Sequence, residues 1–405
     1  MPSPVRHAAV ALVALFLVAL PAVPAAAEDA DWEGIVARAR GTTVRFNAWA
    51  GDAAINDYIA WVGAEVGHRY GITLRHVKLS DTAEAVARIL AETAAGRTTG
   101  GSVDLVWING ENFHALKDRG LLYGPFAERL PNFSLVDPVA KPTTITDSTL
   151  PVEGMEAPWG TAQLVLIYDS ARVALTPGSI AELAEWARLH PGRFAYPAPP
   201  DFLGTTFLKQ VLIETTQDAA SLRLPAEDER FRAATAALWP WLDRLHPHLW
   251  RRGEAFPQNG PAARQLLADG EVDMVLSFNP TEASSAIAQG LLPASVRTAA
   301  FREGSIANSH FVAIPKNASA PEASMVVANF LLSPEAQARK QNPDHWGDFT
   351  VLAMDRLTPD DRRLFDALPL GPATLPPDRL GPTFVEPHPS WTLSLERAWQ
   401  ERYRR

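Results

Sequence analysis

The stretch TTVRFNAWAGDAAINDYIAWVGAEV, residues 42–66, changes its period half-way along. Up to Trp49 it alternates and is rich in β-branched and aromatic residues, the pattern of a strand. Beyond Asp52, the residues Ile55, Tyr58, Ile59, Val62 and Val66 recur at helical spacing and share one face. A strand that turns through Gly51 directly into an amphipathic helix opens a βαβ unit.

The alternation continues. ITLRHVKLS (72–80) reads as a strand, and DTAEAVARILAETAAG (81–96) as a helix capped by Ser80 or Asp81 and stopped at Gly96. SVDLVWIN (102–109) is a third strand and ENFHALKDRGLL (111–122) a third helix. Strands and helices in this order predict an α/β fold with a parallel sheet. A Pro-rich connection over residues 126–160 interrupts it, and TAQLVLIYDS (161–170) then reads as a buried strand. Further helix and strand patterns follow through residue 341, with Ser333-Pro334 splitting two helices as N-cap and first helical residue. The Pro-rich end is expected to be irregular, to wrap the first α/β unit and to finish in a helix.

The first residues carry a leader pattern: Arg6 and His7, an apolar run from Ala8 to Leu20, and small residues up to Ala27. Cleavage after Ala27 is the expectation, with export to the periplasm. No cysteine occurs, so neither a disulfide framework nor a lipid on cysteine is available. The remaining chain of about 380 residues is long enough for two domains. Its formal charge of −9, or −10 without Arg6, argues against a nucleic-acid partner. Nothing in the motifs asks for a cofactor or a metal. His246-Pro247-His248 sits on a Trp-rich helix end and reads as packing and a helix breaker.

Several stretches carry a family resemblance: VKLSDTAEAVARILAE (77–92), GGSVDLVWINGENFHALKDRGLLYGPFAE (100–128), EAPWGTAQLVLIYDSARV (156–173), AFPQNGPAARQLLADGEVDMVLSFNPTEAS (255–284) and MVVANFLLSPEAQARK (325–340). Together they resemble periplasmic solute-binding proteins of ABC importers, of the YnjB type, related to thiamine, polyamine and iron binders. The resemblance implies the type II periplasmic binding protein fold, two lobes with a ligand cleft between them. Lobe one would span 28–162 plus 299–405, and lobe two 163–298. The crossings would lie near Gly160–Asp169 and Val296–Phe311. The implied work is that of a monomer which captures a small-molecule solute and delivers it to an ABC permease, without chemistry. A secreted hydrolase and a partner-binding scaffold are the alternatives. Neither G-x-S-x-G nor H-E-x-x-H is present for the former.

In open α/β sheets ligands bind beyond the carboxyl ends of the strands, so the loops after each strand supply the candidates. These are Trp49 and Asp52 after the first, Ser80 and Asp81 after the second, and Asn109 and Glu111 after the third. Core packing for Trp49 and helix capping for Asp52, Ser80 and Asp81 are the competing readings. Trp159, Gly160 and Gln163 at the first crossing follow from the likeness to polyamine binders, with hinge packing as the alternative for Trp159. The second half offers Asp201, Phe202 and Thr205 at a helix start, Asn279 and Glu282 after a strand, and Asn308 beside His310 at the second crossing. These loops hold carboxylates and aromatic rings without Arg or Lys, which favours an organic cation, thiamine-like or polyamine-like.

Overall fold

The computed structural model describes residues 25–404. The expected leader, residues 1–27, lies outside them except for 25–27, which begin the helix Ala25–Ala39. Among the described residues no helix is long and apolar enough to cross a membrane.

Two sheets organise the chain. In the first, Thr43–Trp49 lies between Thr73–Leu79 and Leu105–Ile108, parallel to both. Ser305–Ala313 joins antiparallel to Leu105–Ile108 and also pairs with Glu156–Gln163. The second sheet orders Val296–Ala299, Val165–Asp169, Met274–Ser277 and Phe194–Ala195. The chain passes from one sheet to the other at Leu164, whose N–H donates to Ile306 at 2.8 Å, and returns between Ala299 and Ser305. Two lobes result, joined by two adjacent crossings.

Local chemistry explains the elements. The helix Ala53–Tyr70 begins where Asp52 accepts from the Ala54 N–H and ends at left-handed Gly71. Its expected apolar face, from Ile55 to Val66, is buried. Ser333 caps Pro334–Gln341. The cap before Ala83–Ala94 falls at Thr82 rather than Ser80 or Asp81. Asp81 still accepts from the Ala83 N–H, and Glu84 reaches back to the N–H groups of Ser80 and Asp81.

Each sheet is covered on both faces, as the parallel strands of lobe one require. Phe46, Tyr58, Val62 and Trp159 pack on one side of lobe one, and Val106, Ile108, Ile89 and Phe113 on the other. In lobe two, Leu166, Phe207 and Leu208 pack with Trp391, Leu395 and Trp399 of the last helix, Ser390–Tyr403. That helix therefore belongs to lobe two, and Ala373 packs there as well. The tail does not stay with lobe one as expected. Thr383–Phe384 extends the first sheet, and the chain then crosses to bury three apolar residues against the second.

Candidate functional site

The carboxyl ends of both sheets face a cavity of about 750 Å³, within the size range of small-molecule sites. Trp49, Asp52, Ser80, Asp81, Asn109 and Glu111 line it from lobe one. Asp201, Phe202, Thr205, Asn279 and Glu282 line it from lobe two, with Asn308 and His310 at the second crossing. Gly51 lets the Trp49 ring fold back over it, since a Cβ there would overlap the indole. Asn109 does not cap its helix and donates instead to the Ser309 carbonyl at 2.7 Å, tying the third strand's end to the crossing.

Three expected residues lie elsewhere. Trp159 is fully buried and does not reach the cavity. Its ring packs among Phe46, Tyr58, Trp107 and Trp346, with the Lys340 ammonium 5.3 Å from its centre. Gly160 lies against Lys340 and Asp348, where any Cβ would overlap both. Gln163 donates to Ser305 Oγ and the Leu380 carbonyl, holding the crossings together. The aromatic wall at this end is formed by Trp107 and Trp346.

The structure also brings in cations that the loops lack. Lys209, two turns into the helix Phe202–Thr215, and Arg264, within Gly260–Ala268, both line the cavity, while Arg404 stands exposed at its rim. Both helical cations are paired. Lys209 meets Glu386 at 2.8 Å with both side chains buried, and Arg264 meets Glu282 at 2.8 Å and Asp52 at 3.2 Å. Burial opposes the charge of Lys209, but Glu386 and Glu111 outweigh it and hold its pKa above the ordinary value. Glu386 also accepts from Asn308 at 2.6 Å.

Three of the helix starts facing the cavity have first-turn N–H groups already taken by side chains. Asp52, Asp201 and Asn259 each accept from N–H groups of their own first turns. Asp201 caps its helix. Thr205 lies within the helix and donates to Glu396 of the last helix at 2.9 Å. Burial pushes the Asp201 carboxyl up to about 6 and Glu396 up to about 7, and raises Glu111. His310 bonds through Nε2 to Asp348 at 2.9 Å, and Asp348 bonds to buried Lys340. Burial would raise Asp348, but Lys340 and His310 together keep it below the usual carboxylate range. His246 reads as packing: it is buried against Tyr196, whose hydroxyl is 2.8 Å from its Nε2.

Reading only loops missed Lys209 and Arg264, which project from inside helices, Glu386 in the Pro-rich tail, and Thr392 and Glu396 on the last helix. One signal was available: Lys209 follows Thr205 by four residues, and so shares its face of the helix.

Residues 61–345 match the family described as bacterial extracellular solute-binding protein. Protein YnjB of Escherichia coli (strain K12) is 48% identical over 381 residues, covering 93% of this chain and 95% of that protein. The chain belongs to the bacterial extracellular solute-binding proteins. Solved structures agree in fold. Iron-bound HitA from Pseudomonas aeruginosa matches with a TM-score of 0.62 at 19% identity, over 88% of this chain and 99% of that one. AfuA from Actinobacillus pleuropneumoniae, with fructose-6-phosphate bound, gives 0.63 at 14% identity, over 90% and 99%. The solute-binding protein thus has the type II periplasmic binding protein fold. Its family binds small solutes outside the cytoplasm for ABC importers and is not enzymatic, so the hydrolase reading falls. One fold holds iron in HitA and a sugar phosphate in AfuA, so the fold does not name the solute.

Proposed function

We propose that the solute-binding protein acts in the periplasm as a monomer, takes an organic cation, thiamine-like or polyamine-like, into the cleft, and delivers it to an ABC permease at the inner membrane. The pairing of charge in the cavity carries this reading. Eight carboxylates and three cationic side chains line it. Lys209 and Arg264 are committed to Glu386, Glu282 and Asp52. Asp81, Glu111, Asp201 and Glu396 form no ion pair among the described residues. Burial raises the pKa of Glu111, Asp201 and Glu396, and a bound cation favours their ionised forms. Trp49, Trp107 and Phe202 supply faces against which a cation or an apolar body can rest. The caps Asp52, Asp201 and Asn259 occupy first-turn N–H groups that an inorganic anion would otherwise use.

Calorimetry of the purified protein against thiamine, diamines, polyamines, phosphate and sulfate tests the reading. Micromolar or tighter binding of an organic cation supports it. Tight binding of phosphate or sulfate with no organic cation bound overturns it.

A further inference from the structure

We propose that Asp81, Glu111, Asp201 and Glu396 form one subsite for a protonated amine, a cation that carries N–H groups, and that Glu396 of the last helix decides its selectivity. The amine subsite rests on the organic-cation reading of the cleft and narrows it to one class.

The four carboxylates come from separate places: the turn after Thr73–Leu79, the starts of Gly110–Lys117 and Phe202–Thr215, and the middle of Ser390–Tyr403. Each has one oxygen engaged by the protein. Asp81 Oδ1 accepts from the Ala83 N–H, Glu111 Oε1 from Asn112, Asp201 Oδ1 from the Leu203 and Gly204 N–H groups, and Glu396 Oε1 from Thr205. The other oxygen of each receives no hydrogen bond from another described residue. Their charges act on one another, Asp81 and Glu111 on Glu396, and Asp81 on Asp201.

Two further side chains lining the same cavity carry a buried polar atom without a partner among the described residues. Thr392 is 4% exposed, and its hydroxyl bonds to nothing among the described residues. It stands four residues before Glu396, on the same helix face, and lines the same cavity. Asn308 is 6% exposed; its amide nitrogen serves Glu386, while its Oδ1 accepts from nothing among the described residues. A buried carbonyl oxygen left unpaired is unfavourable and calls for a donor. An ammonium or guanidinium group supplies charge and N–H donors together. A quaternary nitrogen supplies charge alone and leaves these acceptors unpaired, which is the arrangement that discriminates most sharply between analogues. The cavity is larger than one ammonium group, and the rest of the solute lies against Trp49, Trp107 and Phe202.

The test is calorimetry of the full-length exported protein with a fixed panel: methylamine, 1,4-diaminobutane, spermidine, arginine, choline, tetramethylammonium and phosphate. The expected result is binding of at least one N–H cation, with choline and tetramethylammonium at least about tenfold weaker. Glu396→Gln keeps the Thr205 contact and should weaken the amine about tenfold or more while narrowing its advantage over choline. Glu396→Asp should restore part of both. Circular dichroism checks that each variant is folded, and Thr392→Val provides a second variant that removes only the unpartnered hydroxyl. Equal binding of choline and amines, unchanged in E396Q and T392V, overturns the amine subsite and leaves the organic-cation reading standing. Binding of phosphate alone overturns both. No heat with any amine, in a panel where choline binds, overturns the subsite.

Discussion

Arg264 of lobe two donates to Asp52 of lobe one across 3.2 Å, and the same nitrogen donates to Glu282 at 2.8 Å. The bridge spans the cleft, and its partners are largely shielded from water, so salt screens it less than a surface pair. Removing it should let the lobes part. Arg264→Ala is expected to raise the radius of gyration of the empty protein in small-angle scattering. It should also weaken solute binding by about tenfold, the effect of moving about 1.4 kcal/mol of population away from the closed form. An unchanged radius would show that the bridge holds nothing shut.

The two tryptophans first considered for the cleft should now behave differently. Trp159→Ala empties a fully buried site among four aromatic rings and should lower stability by about 3–5 kcal/mol. Trp49→Ala removes a half-buried ring that lines the cavity. It should weaken solute binding while changing the denaturation midpoint far less. Chemical denaturation and calorimetry on both variants give the comparison, and the opposite ranking would return Trp159 to the cleft.

Protonation should govern both stability and binding between about pH 5 and 8. The folded pKa values of Asp201, about 6, and Glu396, about 7, lie above the unfolded values, and buried Asp147 is pushed up to about 8. In that window the folded protein holds more protons than the unfolded chain. These groups therefore make the empty protein less stable as pH rises from the unfolded values through the folded ones. A bound cation favours the ionised forms, so its affinity should rise over the same window, with protons released. Thermal melts from pH 5 to 8, and calorimetry in two buffers of different ionisation enthalpy, measure these effects. Affinity that falls with pH would contradict the assignment.

Lys209 and Glu386 form a buried pair in the wall of the cavity. Lys209→Met leaves Glu386 charged and unpaired, and should destabilise by about 3–5 kcal/mol. Adding Glu386→Gln removes that charge and should recover much of the loss. A double-mutant cycle by denaturation measures the coupling. Additive losses would mean the pair acts only through packing.

The order of strands and helices in lobe one was legible because each element has one period and a marked end: the Asp52 cap, the Gly71 stop, the alternation of residues 43–49. Knowing where strands end was enough to bring twelve expected residues around one cavity. Trp159 came from the likeness to polyamine binders, and its strand, Glu156–Gln163, is buried on both faces, so nothing in the local pattern could correct it. A period of two carries no direction there. Lys209 and Arg264 were missed because a helix aimed at a cleft continues to line it beyond its first turn. Glu386 was missed because a Pro-rich segment has no period from which to read a face, and Glu396 because its helix, Ser390–Tyr403, was expected on lobe one but packs on lobe two.

The last helix also sets the order in which the molecule can be finished. Leu164 and Trp399 sit in one core, although 235 residues separate them. A ribosome must therefore pass the whole interval before that core can close, and contacts so distant in sequence form slowly. Until then the part of lobe two's core that meets Trp391, Leu395 and Trp399 lacks its cover. The helix that completes lobe two's core is the last of the described helices to be made.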